Sequence, residues 1–169
     1  MEELIIRNVT FQDLPQVVDI QVRGWQAAYR GIIDDDILDT LDKNEKLEKR
    51  KKDFDSNGFI VAELNNKVVG FCRYVDNDKH SIIVPGIDCE LLALYVEPTL
   101  KHKGIGTKLF NYVVDEFKSK NKKSMILWCL RDNEPSKKFY TKMGGTIVSQ
   151  KMFEVKGRSY PEVGFLYEL

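Results

Sequence analysis

The chain has 169 residues, 43% hydrophobic and 31% charged, enough for one compact core with a solvated surface. Lysine plus arginine and aspartate plus glutamate both total 26, so the formal net charge is zero. That balance argues against a chain that coats nucleic acid or an anionic membrane, and no apolar run approaches the roughly 18 residues of a membrane span.

Leu4–Val9 reads as a first strand. Thr10 followed by Asp13 resembles a capping box, so a helix is expected from there to about Tyr29, with Leu14, Val17, Val18, Ile20, Trp25 and Ala28 in helical period. Pro15 sits in the first turn, where its missing N–H costs little. Gly31 ends the helix, and Asp34, Asp35 and Asp36 open a short second one. A lysine-rich helix over about Asn44–Phe54 carries charges of both signs, the mark of a solvated face. Phe59–Leu64 and Lys67–Tyr74, joined by Asn65-Asn66, form a tight-hairpin signal.

A polar stretch over Asp76–Ser81 precedes Cys89–Val96, an almost continuous apolar run that suits a central strand. After Pro98 comes Lys101-His102-Lys103-Gly104-Ile105-Gly106-Thr107, then a helix to about Lys120. Ser124–Leu130 reads as a buried strand and Pro135–Met143 as a helix stopped by Gly144-Gly145. The tail from Thr146 reads as a hairpin turning at Lys156-Gly157-Arg158. The order implies an α/β, α+β-like fold: a mixed sheet with helices packed on it.

Cys72, Cys89 and Cys129 lie in apolar stretches without CxxC spacing, so buried reduced thiols are expected. The two histidines, His80 and His102, lack ligand-like neighbours, and no metal is expected. The N-terminal residues have no basic segment followed by a long apolar one, which suggests a cytoplasmic chain.

The segment after Pro98 carries the clearest chemistry. A strand running into a glycine-rich turn and a helix start presents main-chain N–H groups that have no partner inside the helix, with the positive dipole end behind them. Gly104 and Gly106 let the backbone approach phosphate oxygens, Lys101 and Lys103 add positive charge, and Thr107 can donate a hydroxyl hydrogen bond. The spacing is neither GxxxxGK[ST] nor GxGxxG. Taken alone, the segment fits a simple solvated turn equally well.

Leu94-Tyr95-Val96-Glu97-Pro98 followed by Lys101-His102-Lys103-Gly104-Ile105-Gly106 resembles the hallmark of the GNAT superfamily of N-acetyltransferases. Lys101 stands where the family usually has arginine or glutamine, which keeps a cation and loses a planar donor. A second block matches in order: a strand, Asn133, Phe139-Tyr140 on a helix, then Gly144-Gly145. Trp25 to Gly31 also looks like members of this family, so the resemblance spans the chain as a single domain, 1–169.

The resemblance implies a GNAT-type sheet of about six or seven strands, splayed at its centre, with helices on both faces, and acetyl-CoA as co-substrate. It implies that Leu94, Tyr95 and Val96 offer main-chain groups to the pantetheine arm. Lys101, His102, Lys103, Gly104, Ile105, Gly106 and Thr107 would hold the pyrophosphate, and Asn133 would bond the arm. Tyr140 would meet the coenzyme sulfur as the acid for the leaving thiolate, and Glu90, six residues before Val96, would be the base. A packed aromatic pair at Phe139-Tyr140 and a solvated strand-end Glu90 are the bland alternatives. Other members carry a glutamate five residues before the asparagine, where this chain has Trp128.

The implied acceptor is a primary amine, met by Trp25, Tyr29, Ile32, Asp34–Asp36 and the Phe153–Tyr160 region. A small or polyamine-like amine is favoured over a protein N-terminus or lysine, and a non-catalytic acyl-CoA-binding module remains a rival. Asp34–Asp36 could attract a cation or simply cap the second helix. No nucleic acid or membrane partner is expected, and a homodimer is left open.

Overall fold

The structure, a computed structural model, describes residues 3–76 and 83–169. Most of the polar stretch expected over Asp76–Ser81 lies outside the described residues. Seven strands form a mixed sheet in hydrogen-bonded order β1-β2-β3-β4-β5-β7-β6. The chain divides into two compact units: unit 1 is Met1–Arg73 with Ala93–Tyr112, and unit 2 is Tyr74–Leu92 with Val113–Leu169.

Unit 1 opens with β1 (Leu4–Asn8) and a short 3-10 turn, Phe11–Asp13, before helix α1 (Leu14–Ala28). The capping signal is realised through Asp13, whose carboxylate accepts the Thr10 N–H at 2.7 Å and the Thr10 hydroxyl at 3.1 Å. The Arg7 guanidinium grips the same carboxylate at 2.7 and 3.0 Å and holds it below the usual carboxylate range. Helices α2 (Asp35–Asp39) and α3 (Lys43–Lys52) follow. Asp42 caps α3 by accepting the N–H groups of Asn44 and Glu45.

Strands β2 (Phe59–Leu64) and β3 (Lys67–Val75) form the expected hairpin. Asn65 and Asn66 both take positive φ, 52° and 63°, as a two-residue primed turn requires. β1 pairs antiparallel with β2 from Leu4 opposite Leu64 to Asn8 opposite Ile60. Leu14, Val17 and Ile20 of α1 bury their apolar face against Phe59, Val61 and Phe71. Strand β4 (Cys89–Val96) runs through both units; its second half, the 3-10 turn Pro98–Leu100 and the first turns of α4 (Ile105–Ser119) complete unit 1.

Unit 2 contains β5 (Ser124–Leu130), α5 (Glu134–Lys142), β6 (Thr146–Val155) and β7 (Arg158–Glu168). The expected tail hairpin turns on Lys156 and Gly157, with φ of 49° and 76°, and Arg158 already belongs to β7. β7 is antiparallel to both β5 and β6, so the last strand lies between them. β4 and β5 run parallel, and their register covers only Cys89–Leu91 against Met125–Leu127. Val84, Ile87 and Ile126 form a small core on which Trp128 and Leu166 pack. Among the described residues, no helix is long and apolar enough to cross a membrane.

Candidate functional site

In unit 1 the turn after β4 is fixed from several sides. Glu97 donates its N–H to the Val69 carbonyl of β3 at 2.8 Å. Gly70 lets β3 come close: a Cβ there would lie 2.9 Å from the Tyr95 carbonyl oxygen and 3.0 Å from Leu109 Cδ1. The Glu97 carboxylate caps the 3-10 turn by accepting the Thr99 N–H, and it accepts both terminal nitrogens of Arg23 on α1. Those arginine bonds hold Glu97 below the usual carboxylate range against the opposing effect of burial. Asp19 shares Arg23 and also takes the Lys43 ammonium at 2.6 Å.

Beyond Glu97, Lys101 is extended, and His102 and Gly104 are left-handed, with φ of 66° and 84°. Left-handed residues within a turn bring successive N–H groups round to one concave side. The Gly104 carbonyl accepts the Lys108 N–H at 3.1 Å, the bond that opens α4. The amides of Ile105, Gly106 and Thr107 therefore precede the first intrahelical bond. Ile105 is buried and anchors the turn, while Lys101, His102, Lys103 and Thr107 are exposed.

Leu94, Tyr95 and Val96 are half-buried. The Tyr95 hydroxyl accepts the Trp25 indole N–H at 2.8 Å, and its ring stacks on Phe71 with centroids 5.2 Å apart. Burial pushes the phenol's pKa up, opposed by its bonds to Trp25 and Tyr29. The Tyr95 side chain thus belongs to the core of unit 1, which leaves its main chain as the part able to serve a ligand.

In unit 2, Glu90 is 5% exposed, opposite Ile126 of β5. Cys89, Glu90 and Leu91 are buried in succession, whereas Leu92 is 41% exposed, so burial ignores strand alternation there. The solvated strand-end alternative for Glu90 does not describe this residue. Asn133 is buried at the N-cap of α5, where its side-chain oxygen accepts the Ser136 N–H at 3.3 Å. Its NH2 is the part of the side chain remaining for a ligand.

Tyr140 is half-buried on α5, its ring 5.3 Å from Phe139 and 5.8 Å from Phe165. Its carbonyl accepts the Tyr167 hydroxyl at 2.6 Å and the Gly145 N–H at 3.1 Å, which fixes the end of the helix. Gly145 faces Tyr167 with no room for a Cβ, which would lie 2.5 Å from that ring. Trp128 lies against Gly164 and under the Lys151 ammonium at 4.8 Å.

The structure thus brings Leu94 to Val96 and Lys101 to Thr107 together in unit 1, and holds Glu90, Asn133 and Tyr140 in unit 2. The Arg23–Glu97 clamp was missed from sequence; the partners are 74 residues apart, and only the place of Glu97 inside the β4 motif hints at it. The acidic run is partly engaged: Arg30 pairs with Asp35 at 3.2 Å and with Asp39 at 2.6 Å. Asp34 occupies the N-cap position of α2 without a side-chain capping bond. Among the described residues, no group of three or more His, Cys, Asp or Glu is placed to hold a metal ion.

The same fold occurs in the crystal structure of PaiA N-acetyltransferase from Thermoplasma acidophilum in complex with coenzyme A. The TM-score is 0.70 at 22% identity, covering 95% of this chain and 98% of that one. That likeness shows a shared fold. Residues 20–145 match the family described as the acetyltransferase (GNAT) family. An uncharacterized N-acetyltransferase of Methanocaldococcus jannaschii is 28% identical over 155 residues; the match covers 82% of this chain and 59% of that protein's length. A spermidine N(1)-acetyltransferase of Thermoplasma acidophilum is 26% identical over 142 residues, 82% of this chain and 86% of that protein. The chain belongs to the acetyltransferase (GNAT) family and is an N-acetyltransferase with acetyl-CoA as co-substrate.

Proposed function

We propose that the chain, acting over 1–169 as one acetyltransferase domain, moves the acetyl group of acetyl-CoA to a small primary amine by direct attack in a ternary complex. The observation that carries this reading is the turn after β4, where left-handed His102 and Gly104 precede the bare amides opening α4. That backbone suits a diphosphate, with Lys101 and Lys103 as mobile countercharges and the Thr107 hydroxyl as a further donor. The main chain of Leu94, Tyr95 and Val96 would take the pantetheine amides as an added strand does. The Asn133 NH2 would donate to a carbonyl of the arm while its oxygen caps α5.

The reaction needs a neutral amine. In this reading Glu90, a carboxylate buried among apolar residues, accepts the amine proton as nitrogen attacks the thioester carbon. The C–N bond forms, the C–S bond breaks, and the Tyr140 hydroxyl protonates the departing sulfur. The products are the N-acetyl amine and free coenzyme A. A polyamine-like acceptor is favoured because a relative over most of this chain is named a spermidine acetyltransferase. Trp25, Tyr29 and Ile32 of unit 1 would meet the acceptor.

Acetyl-CoA should raise the melting temperature of the protein, as mass action requires of a ligand that binds only the folded state. Thiol release should follow addition of spermidine and should be weak with a short peptide amine. Tyr140→Phe should lower kcat by on the order of 10²-fold while acetyl-CoA stabilises the variant as it does the wild type. An unchanged kcat removes Tyr140 as the acid, and no stabilisation by acetyl-CoA removes the reading of the turn.

A further inference from the structure

Unit 1 holds a polar cavity, of about 250 Å3, that the acetyl-transfer reading does not use. It is bordered by Gln21 of α1, by the end of α3, and by the cross-strand pair Phe59 and Arg73 of β2 and β3. Two guanidinium groups share the Phe59 ring there. Arg73 lies 5.3 Å from its centroid and Arg50 5.5 Å, with Arg50 also 5.5 Å from the Phe71 ring.

The environment of these two arginines differs from that of Arg7, Arg23 and Arg30, each of which is ion-paired with carboxylates. Among the described residues, neither Arg50 nor Arg73 is ion-paired with a carboxylate. Arg50 donates to the neutral Gln21 oxygen at 2.8 Å. The Nε of Arg73 is shut off from solvent without an acceptor. Two cations lining one cavity repel, and burial of a guanidinium without an ion pair is unfavourable. Consistent with this, burial and the neighbouring Arg73 both lower the pKa of Arg50.

We propose that the Arg50–Arg73 cavity is a binding site for a small organic anion, with a carboxylate or phosphate head held by the two guanidinium forks. Planar forks match such oxyanions bidentately, and a bound anion gives the two arginines the direct ion pair that neither makes with a carboxylate among the described residues. Phe54 and Phe59 give the ligand's body an apolar wall, and Lys46 and Lys49 add positive charge at the border. Asp53 and Asp55 border the same cavity, so a ligand negative along its whole length is repelled while one with a single anionic end is not. The volume is below the roughly 300 Å3 at which sites for drug-sized ligands begin, which limits the ligand to a small molecule. The site is separate in sequence from the turn at Lys101–Thr107 and stands whether or not that turn holds coenzyme.

The test measures thermal shift and calorimetric binding of phenyl phosphate and of benzoate, two probes with one anionic end and different heads. Whichever probe binds the wild type identifies the head group, and Arg73→Gln should weaken that binding by about tenfold or more. Arg50→Gln gives a second reading of the same loss should Arg73→Gln fail to fold. Gly104→Glu, which blocks the turn after β4, should leave probe binding unchanged. The proposal is overturned if neither probe binds the wild type at about 10 mM, or if both arginine variants bind as the wild type does. Loss of probe binding in Gly104→Glu overturns it too, because the probe then sits at the other anion site.

Discussion

The turn after β4 and the polar residues of unit 2 are built in opposite ways. The turn is a main-chain device: its shape comes from left-handed His102 and Gly104, and its four polar side chains project into solvent. Glu90 and Asn133 are side-chain devices, buried to 5% and 6% exposure and held by the elements around them. The difference separates two kinds of fragility. Backbone geometry in the turn can change without loss of core, whereas side chains in unit 2 serve packing or capping and cannot be altered for chemistry alone.

The largest effect that follows is at Gly104. A Cβ there meets nothing within 4 Å, so space is open and only the positive φ resists a side chain. Gly104→Glu should cost about 1 kcal/mol of stability and raise the Kd for acetyl-CoA by on the order of 10³-fold, through negative charge and bulk at the helix start. Calorimetric titration with coenzyme A, alongside a melting curve, separates the two quantities. Retained affinity would end the view that the turn is the phosphate site.

The next effect is at Glu90 and tests whether unit 2 contributes chemistry or packing only. Glu90→Gln keeps shape and removes the proposed base. It should lower kcat/KM by about 10²-fold near pH 7, where amines are protonated, and the deficit should shrink toward pH 10 as neutral amine becomes abundant. A deficit constant across pH would make Glu90 a packing residue and water the proton acceptor.

Much of the fold could be read from the chain because apolar runs and turn residues act locally. Cys89–Val96 and Ser124–Leu130 are strands with the expected bounds, and Asn65-Asn66 turns the first hairpin, since asparagine tolerates positive φ. The Lys101–Thr107 turn was legible only in part: Gly104 takes positive φ as a glycine readily does, but the other left-handed residue is His102, and Gly106 lies within α4. Insertion of β7 between β5 and β6 was not legible, because pairing order depends on contacts far apart in sequence. The burial of Glu90 was only half legible: apolar Cys89, Leu91 and Leu92 around it allowed a desolvated carboxylate, but a solvated strand-end glutamate fitted the sequence equally well, and the structure decides for burial. The Arg23–Glu97 clamp and the Arg50–Arg73 cavity each join residues on separate elements and left no local pattern.

The smallest effect sharpens the comparison most, because in the proposed function Asn133 serves both purposes with different atoms. Its oxygen caps α5 through the Ser136 N–H, a bond worth about 1 kcal/mol, and its NH2 is the donor proposed for the coenzyme arm. Asn133→Asp keeps an acceptor at the cap and places negative charge at the positive end of α5, so stability should hold or rise slightly. The donor is gone, however, and the KM for acetyl-CoA should rise by about fivefold to tenfold. Asn133→Ala removes both functions and should lose about 1 kcal/mol in addition to the same rise in KM. If the aspartate variant binds acetyl-CoA as the wild type does while the alanine variant only loses stability, Asn133 is a cap and nothing more. The coenzyme arm would then depend on main-chain groups throughout, and the contrast between the two regions would reduce to Glu90 and Tyr140, the residues proposed to move protons.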